Sequence, residues 1–168
     1  MVEVVARSNI PFTLGTGASS MGEIRQAINL ALAEGGNKFV LMHGMQSFPT
    51  SIEQANLCRI KSLASSFDAL VGYADHTDGD DLFASNIDLV ALGMGACIFE
   101  KHYTLNRALK GTDYQAALNP DELARYVKNV RQGVFSIGSS NNESFNSDEI
   151  RYRNFQKKKL VATKNLSA

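Results

Sequence analysis

The sequence predicts an α/β protein: a partial (β/α)8 TIM barrel of about four βα units with parallel strands. Three observations carry this. β-prone runs centred near Phe12, Val40, Val71 and Ile98 recur 28, 31 and 27 residues apart. That spacing is close to the ~31 residues per unit of an eight-unit barrel. Each run is followed by a segment with helical periodicity, the crossover that parallel strands require. Runs such as Phe39 to Gly44 are almost continuously apolar, which suits parallel strands buried on both faces. The 168 residues hold four such units and not eight.

The elements follow in order. Met1 to Asn9, with Val2, Val4, Val5 and Ala6, reads as the end of a helix or a stray edge segment. Ile10 to Leu14 is a short strand. The turn Gly15-Thr16-Gly17-Ala18-Ser19-Ser20 leads into a helix, and Ser20 with Glu23 three residues on predicts a capping box. Ile24, Ala27, Ile28, Ala31 and Leu32 make the apolar face of that helix, and Gly35-Gly36 stops it. The second strand, Phe39 to Gly44, is followed by a loop, Met45 to Thr50, and then by a helix with Ile60, Leu63, Ala64 and Phe67 on one side.

The third strand spans Ala69 to Tyr73, and Asp75 to Asp81 is its loop. The acid cluster is not a calcium loop, because the twelfth residue from Asp75 is Asn86 where a bidentate Glu is needed. A helix carrying Phe83, Ile87, Val90 and Ala91 runs to Gly93-Met94-Gly95, with the later Asp residues at its positive end. Cys97 to Tyr103 is the fourth strand, Leu105 to Asn119 a longer loop. Asn119 as N-cap and Pro120 at the first helical position begin the last helix; Leu123, Val127, Val130 and Val134 line its core side, and Gly138 closes it. Ser139 to Asp148 reads as a polar linker, and Lys159 to Thr163 as a fifth strand without a partner. The expected division is therefore 1–138 as half of a barrel and 139–168 as linker plus the start of a further domain.

Composition narrows the function. The chain is 44% hydrophobic and 20% charged, with 17 basic and 17 acidic residues and zero formal net charge. No general attraction to nucleic acid or to an anionic membrane follows. Cys58 and Cys97 fall in different elements without metal-type spacing, which fits a reducing compartment. With no signal peptide or apolar run of membrane-spanning length in the sequence, the expected location is the cytoplasm.

Chemistry concentrates between Leu70 and Thr104. Two strands there each end in a histidine beside a carboxylate: Asp75-His76 and Glu100-Lys101-His102. Neighbouring parallel strands lie about 4.8 Å apart, so His76 and His102 are within reach of one metal ion. Alternation puts Glu100 and His102 on one face and Lys101 on the other. The competing reading is two solvated or hydrogen-bonded histidines. His43 also ends a strand, where a structural, hydrogen-bonding role competes with that of a third ligand. The Gly15-Thr16-Gly17 loop feeding a helix suits an anion such as phosphate, or is an ordinary βα turn. Thr16, Gln46, His76 and His102 all fall at C-terminal strand ends, where βα folds place their chemistry.

Taken together, Leu41-Met42-His43, Phe48-Pro49-Thr50, Gly72-Tyr73-Ala74-Asp75-His76-Thr77, Glu100 to Leu105, Lys110-Gly111-Thr112-Asp113 and Leu118 to Leu123, in this order, resemble the sialic acid synthase (N-acetylneuraminate synthase) family. The resemblance runs from about Pro11 to Gly138 and corresponds to the C-terminal half of that family's catalytic barrel. The segment Lys159 to Lys164 is similar to the entry into its C-terminal antifreeze-like domain. The resemblance implies condensation of phosphoenolpyruvate with an N-acetylated amino sugar such as N-acetylmannosamine, giving a sialic or nonulosonic acid and phosphate. It implies a divalent metal, Mn2+ or Mg2+, held by His76 and His102. It makes Glu100 a proton-transfer group and Asp113 the acid that contacts sugar hydroxyls. Thr16, Gln46, Phe48 and Asp75 become the substrate-binding set.

Departures accompany it. Gly15 stands for the family's Ser, Ala74 for the Ser of Ser-Asp-His, and Phe48 for a tyrosine; each removes a hydrogen bond of about 1 kcal/mol. The first four βα units, with the lysines that neutralise phosphoenolpyruvate, have no counterpart in these 168 residues, nor has the C-terminal domain with its arginine. The chain alone is therefore expected to be weakly active or inactive. Two open strand edges invite pairing, so a homodimer or association with an N-terminal half is expected. The competing readings are a non-catalytic, self-associating half-barrel and another metal-dependent barrel enzyme such as an aldolase.

Overall fold

The computed structural model describes residues 1–138 and 144–161. The chain divides into two compact units, Met1–Ile137 and Gly138–Ala168.

The first unit is a four-stranded, all-parallel sheet of β1 (Phe12–Gly15), β2 (Phe39–His43), β3 (Val71–Asp75) and β4 (Phe99–Lys101), paired in sequence order. The connections carry α2 (Met21–Ala33), α3 (Cys58–Phe67) and α4 (Ile87–Gly93); α1 (Val2–Arg7) precedes the sheet and α5 (Pro120–Ile137) follows it. The half-barrel read from the repeat spacing is thus the observed fold. The capping box at Ser20 and Glu23 is formed, and Gly35, at φ 84°, turns the chain out of α2 in a conformation that favours glycine.

Alternation along the strands sorts the side chains onto two faces. Leu41, Val71 and Tyr73 point toward the helices and pack with Ile24, Ile28, Ile60, Leu63, Ile87 and Ala91. Leu41, Ile60 and Leu63 are completely buried, each stabilising the fold by about 1.5–3 kcal/mol. The opposite, concave face carries Val40, Met42, Gly72, Ala74, Ile98 and Glu100. Gly44 continues β2 on this face; a Cβ there would sit 2.8 Å from the Ala74 carbonyl oxygen, so the neighbouring chains approach closely only because that residue is glycine. Both sheet edges, β1 and β4, are unpaired among the described residues.

Several boundaries differ from the sequence reading. The helix expected to carry Phe83 begins only at Ile87. Asp78 and Asp81 instead accept from the backbone N–H two residues on, at 3.0 and 2.7 Å, and these Asx turns compete with helix. On α5 the buried residue is Tyr126, whereas Val134, expected on the core side, is exposed. In the second unit, α6 (Ser147–Phe155) starts inside the expected linker, because Asn146 and Glu149 form a reciprocal capping box. Lys159, Leu160 and Val161 form no strand; the remainder of that expected strand, and residues 139–143 of the expected linker, lie outside the described residues.

The loop between β4 and α5 is fixed at both ends. Leu118 N–H donates to the His102 carbonyl at 2.9 Å and Thr104 N–H to the Leu118 carbonyl at 3.0 Å. Arg107, buried, grips Asp80 at 2.6 Å, Glu122 at 2.6 Å and the Ala117 carbonyl at 2.8 Å. Glu122 also accepts from Asn119 N–H at 2.7 Å. The Arg107 guanidinium holds the Glu122 carboxyl down at about 2, against an ordinary 4.5. A carboxylate whose folded-state value is depressed stabilises the fold above its unfolded value and loses that contribution as it protonates. Stability should therefore fall between pH 4.5 and about 2. In urea titrations, Arg107→Met should cost about 2 kcal/mol at pH 7 and flatten that acid dependence; an unchanged midpoint and pH profile would contradict the clamp.

Candidate functional site

The concave face ends, at the C-terminal side of the strands, in a cleft of about 310 Å³ that includes Gln46, Phe48, His76, Glu100, His102 and Asp113. His76 follows β3 directly, and Glu100 and His102 lie two residues apart at the end of β4. The register pairs Ala74 with Glu100 and Asp75 with Lys101, so the next residues, His76 and His102, stand side by side. Their ring centroids are 5.2 Å apart, inclined at 56°. The Phe48 ring packs on His76 at 4.3 Å and meets His102 edge-on at 5.8 Å. It forms one wall of the cleft.

The tautomer of His76 follows from its partner. Nδ1 lies 2.6 Å from the Met45 carbonyl oxygen, which only accepts, so Nδ1 is the donor and, in the neutral ring, Nε2 is the nitrogen with the lone pair. A histidine that ligates a metal is ordinarily oriented by such a bond from its other nitrogen. Asp113 arrives from the β4–α5 loop in a left-handed conformation, φ 52°, and is half-buried. Glu100 and Gln46 are exposed. Among the described residues no lysine or arginine lines the cleft, so its two carboxylates make it acidic.

His43 is absent from this group. It is buried and its Nε2 donates to the Ala55 carbonyl at 2.9 Å, so burial holds its imidazole neutral and below the usual histidine range. That is the hydrogen-bonding role weighed against a third ligand.

Two residues of the expected substrate-binding set are not among the cleft's lining side chains. Asp75 is wholly buried on the helix face, away from the cleft. Its Oδ1 accepts from Tyr73 hydroxyl, Thr77 N–H and Thr77 hydroxyl at 3.1, 2.9 and 2.6 Å, and Oδ2 pairs with Lys101. Thr16 is likewise buried, its hydroxyl donating to the Met42 carbonyl at 2.9 Å; Gly15 and Gly17 present the loop to the cleft instead. Alternation explains the first case: a strand residue one place before an inward histidine points outward.

Among the described residues no three His, Cys, Asp or Glu side chains are gathered tightly enough to hold a metal by themselves. The donor set on this chain is two imidazoles. Such a pair fits a divalent ion whose other positions are taken by water or substrate oxygens.

A larger hollow, about 950 Å³, lies at the N-terminal ends of the strands and includes Phe12, Phe39, Val40, Leu70 and Ile98. Its walls are mainly apolar and it lacks the histidines; βα folds place chemistry at the opposite end. We therefore assign the site to the smaller cleft.

Sequence reasoning missed Arg107 and Lys101, which secure the site from behind. Lys101 Nζ pairs with Asp75, donates to the Ala84 carbonyl at 2.8 Å and reaches Asp88 at 3.4 Å. Burial pushes the Asp88 carboxyl up to about 7 and the Lys101 ammonium down to about 7; the direct contact with the Asp75 carboxylate opposes the second shift. The only sequence signal was that Lys101 alternates with two cleft residues.

Comparisons with known proteins identify the family. The sequence matches the NeuB family over residues 1–142. It is 33% identical over 164 residues to the N,N'-diacetyllegionaminic acid synthase of Campylobacter jejuni, covering 96% of this chain and 47% of that protein. It is 30% identical over 139 residues to the human N-acetylneuraminate-9-phosphate synthase, covering 82% of this chain and 37% of the relative. The crystal structure of the N-acetylneuraminic acid synthetase of Leptospira borgpetersenii, in complex with citrate, superposes with a TM-score of 0.80 at 34% identity, over 94% of this chain and 54% of that one. The chain thus spans about half the length, or less, of the curated relatives it matches. With the family matched over most of its length and the half-barrel superposing on a solved synthase, the chain belongs to the NeuB family.

Proposed function

We propose that this chain supplies the metal-binding and sugar-binding half of a synthase site. That site condenses phosphoenolpyruvate with an N-acetylated amino sugar, of the N-acetylmannosamine type, to a nonulosonic acid. The observation that carries this is the pair of imidazoles 5.2 Å apart in a cleft shared with Glu100 and Asp113. His76 and His102 would hold Mn2+ or Mg2+, with His76 Nε2 free for the task. When bound, such an ion polarises the sugar's aldehyde oxygen as a Lewis acid and makes its carbon the target of the enol methylene.

The remaining roles belong to this chain's side chains. Glu100, on the same strand face as His102, is placed to relay a proton from water to the former aldehyde oxygen. Asp113 accepts hydrogen bonds from sugar hydroxyls, and the Gln46 amide orients the sugar's polar groups. Phe48 excludes water on the imidazole side and presents a ring face to the sugar. A carbon–carbon bond forms between the phosphoenolpyruvate methylene and the aldehyde carbon. Water adds to the cationic centre left behind, and the tetrahedral species expels phosphate. The exposed backbone of Gly15 and Gly17 is the element of this half nearest in kind to a phosphate cradle.

The cleft's charge limits the chain acting alone. A trianionic substrate facing two carboxylates and no lining cation binds poorly, so cations must come from a complementary surface. The unpaired edges at β1 and β4, and the apolar hollow between the strand starts, support closure by another half-barrel: a second copy or an N-terminal half. We place the assembled enzyme in the cytoplasm. Family membership lends no support to the non-catalytic scaffold or the aldolase.

Phosphate release from phosphoenolpyruvate, Mn2+ and N-acetylmannosamine is the direct assay. The isolated chain should show little or none, and mixing with a separately expressed N-terminal half should raise the rate at least tenfold. Asp113→Asn in the mixture should lower it by about 100-fold, equivalent to about 2.7 kcal/mol. Robust turnover by the isolated chain would contradict the charge argument, and no turnover in the mixture would contradict the synthase reading. Sedimentation at micromolar concentration should reveal a dimer or larger species; a monodisperse monomer would contradict edge pairing.

A further inference from the structure

The back of the sheet carries a device that bears on the two histidines. Asp75 ends β3 and Lys101 ends β4, and the register places them directly opposite. Each immediately precedes one of the paired imidazoles. Their side chains leave the sheet on the helix face and meet there, with 0% and 4% of the side chain exposed. Lys101 is held further by the Ala84 carbonyl and Asp88, and the Tyr126 ring lies 5.3 Å from its ammonium. Asp75 is held by Tyr73 and Thr77. Both side chains are thus held by several contacts each.

Stability alone gives a poor account of this pair. Burying two charges costs several kcal/mol per ion, and well-packed apolar residues often serve as well or better. Its position says more. β4 has three residues and, among the described strands, pairs only with β3, in a short ladder whose last pair is Asp75 with Lys101. At the end that carries His102, the ion pair of Asp75 with Lys101 adds a side-chain tie across the last rung of that ladder. We infer that Asp75 and Lys101 are positioning residues, a buried strap that sets the spacing between the His76 and His102 rings. The claim that this spacing serves a shared cation rests on the proposed function; the claim about the spacing itself does not.

The test compares the full chain with a paired variant, Asp75→Asn with Lys101→Met, which removes both charges and leaves an acceptor for Tyr73 and Thr77. The paired variant should melt cooperatively. Its crystal structure should show the imidazole rings moved apart by about 1 Å or more, a displacement large enough to cost function. Its Mn2+ affinity should fall by about 10- to 100-fold, as for other groups that orient metal ligands. Leu63→Ala, a cavity remote from the cleft, should lower the melting temperature yet keep Mn2+ affinity. Rings still 5.2 Å apart in a folded paired variant would overturn the strap. So would a paired variant that cannot fold, since the pair would then serve stability, or an equal Mn2+ loss in Leu63→Ala. If the wild-type chain binds no Mn2+, the metal reading fails while the ring spacing still decides the strap.

Discussion

The parallel register between β3 and β4 is the constraint on which the site depends. Tyr73 lies opposite Phe99, Ala74 opposite Glu100 and Asp75 opposite Lys101. In a strand the side chains alternate, so sliding β4 by one residue would exchange its faces. Lys101 would enter the cleft, and Glu100 and His102 would turn toward the helices, beneath which Asp75 and Asp88 already bury two carboxylates. No arrangement in that slipped register pairs the charges. The same alternation that brings two imidazoles together therefore also brings one cation to two acids, and each result helps to enforce the other.

Behind this register stand contacts that position loops. Arg107 ties the Asp80 turn, the Ala117 carbonyl and the start of α5 into one knot, and the loop held by that knot delivers Asp113. Gly79 N–H donates to the Gln115 carbonyl at 2.6 Å and joins the post-β3 loop to the same segment. The cleft is thus lined by strand ends that the sheet fixes and by one long loop that a buried arginine fixes. Catalytic groups on loops are precise only when something rigid holds the loop, and here that support is electrostatic.

Much of the fold was legible in the sequence because it is periodic. Strand spacing, apolar runs and helical stripes gave four βα units in their order, and Ser20 with Glu23 gave a helix start. The cleft was legible in part for the same reason: histidines at successive strand ends must be neighbours. What was not legible is which face an end residue takes when the strand boundary is uncertain. The third strand runs two residues beyond the expected Tyr73, and Asp75 thereby becomes a helix-facing strand residue instead of a loop acid. Thr16 is hidden because its hydroxyl satisfies the Met42 carbonyl, a long-range bond that no local pattern encodes. Arg107 and Lys101 likewise find partners 10 to 27 residues away. Their roles emerge only from packing.

Two imidazoles and two carboxylates share one cleft of this half-barrel, and the proposed function rests on them. The most direct test of its centre is spectroscopic and needs no turnover. Mn2+ added to the chain labelled with 15N-histidine should show magnetic coupling to two equivalent-strength imidazole nitrogens, reduced to one in His76→Ala and in His102→Ala. Coupling to no histidine nitrogen, or a spectrum unaltered by either substitution, would contradict a cation shared between the ends of β3 and β4.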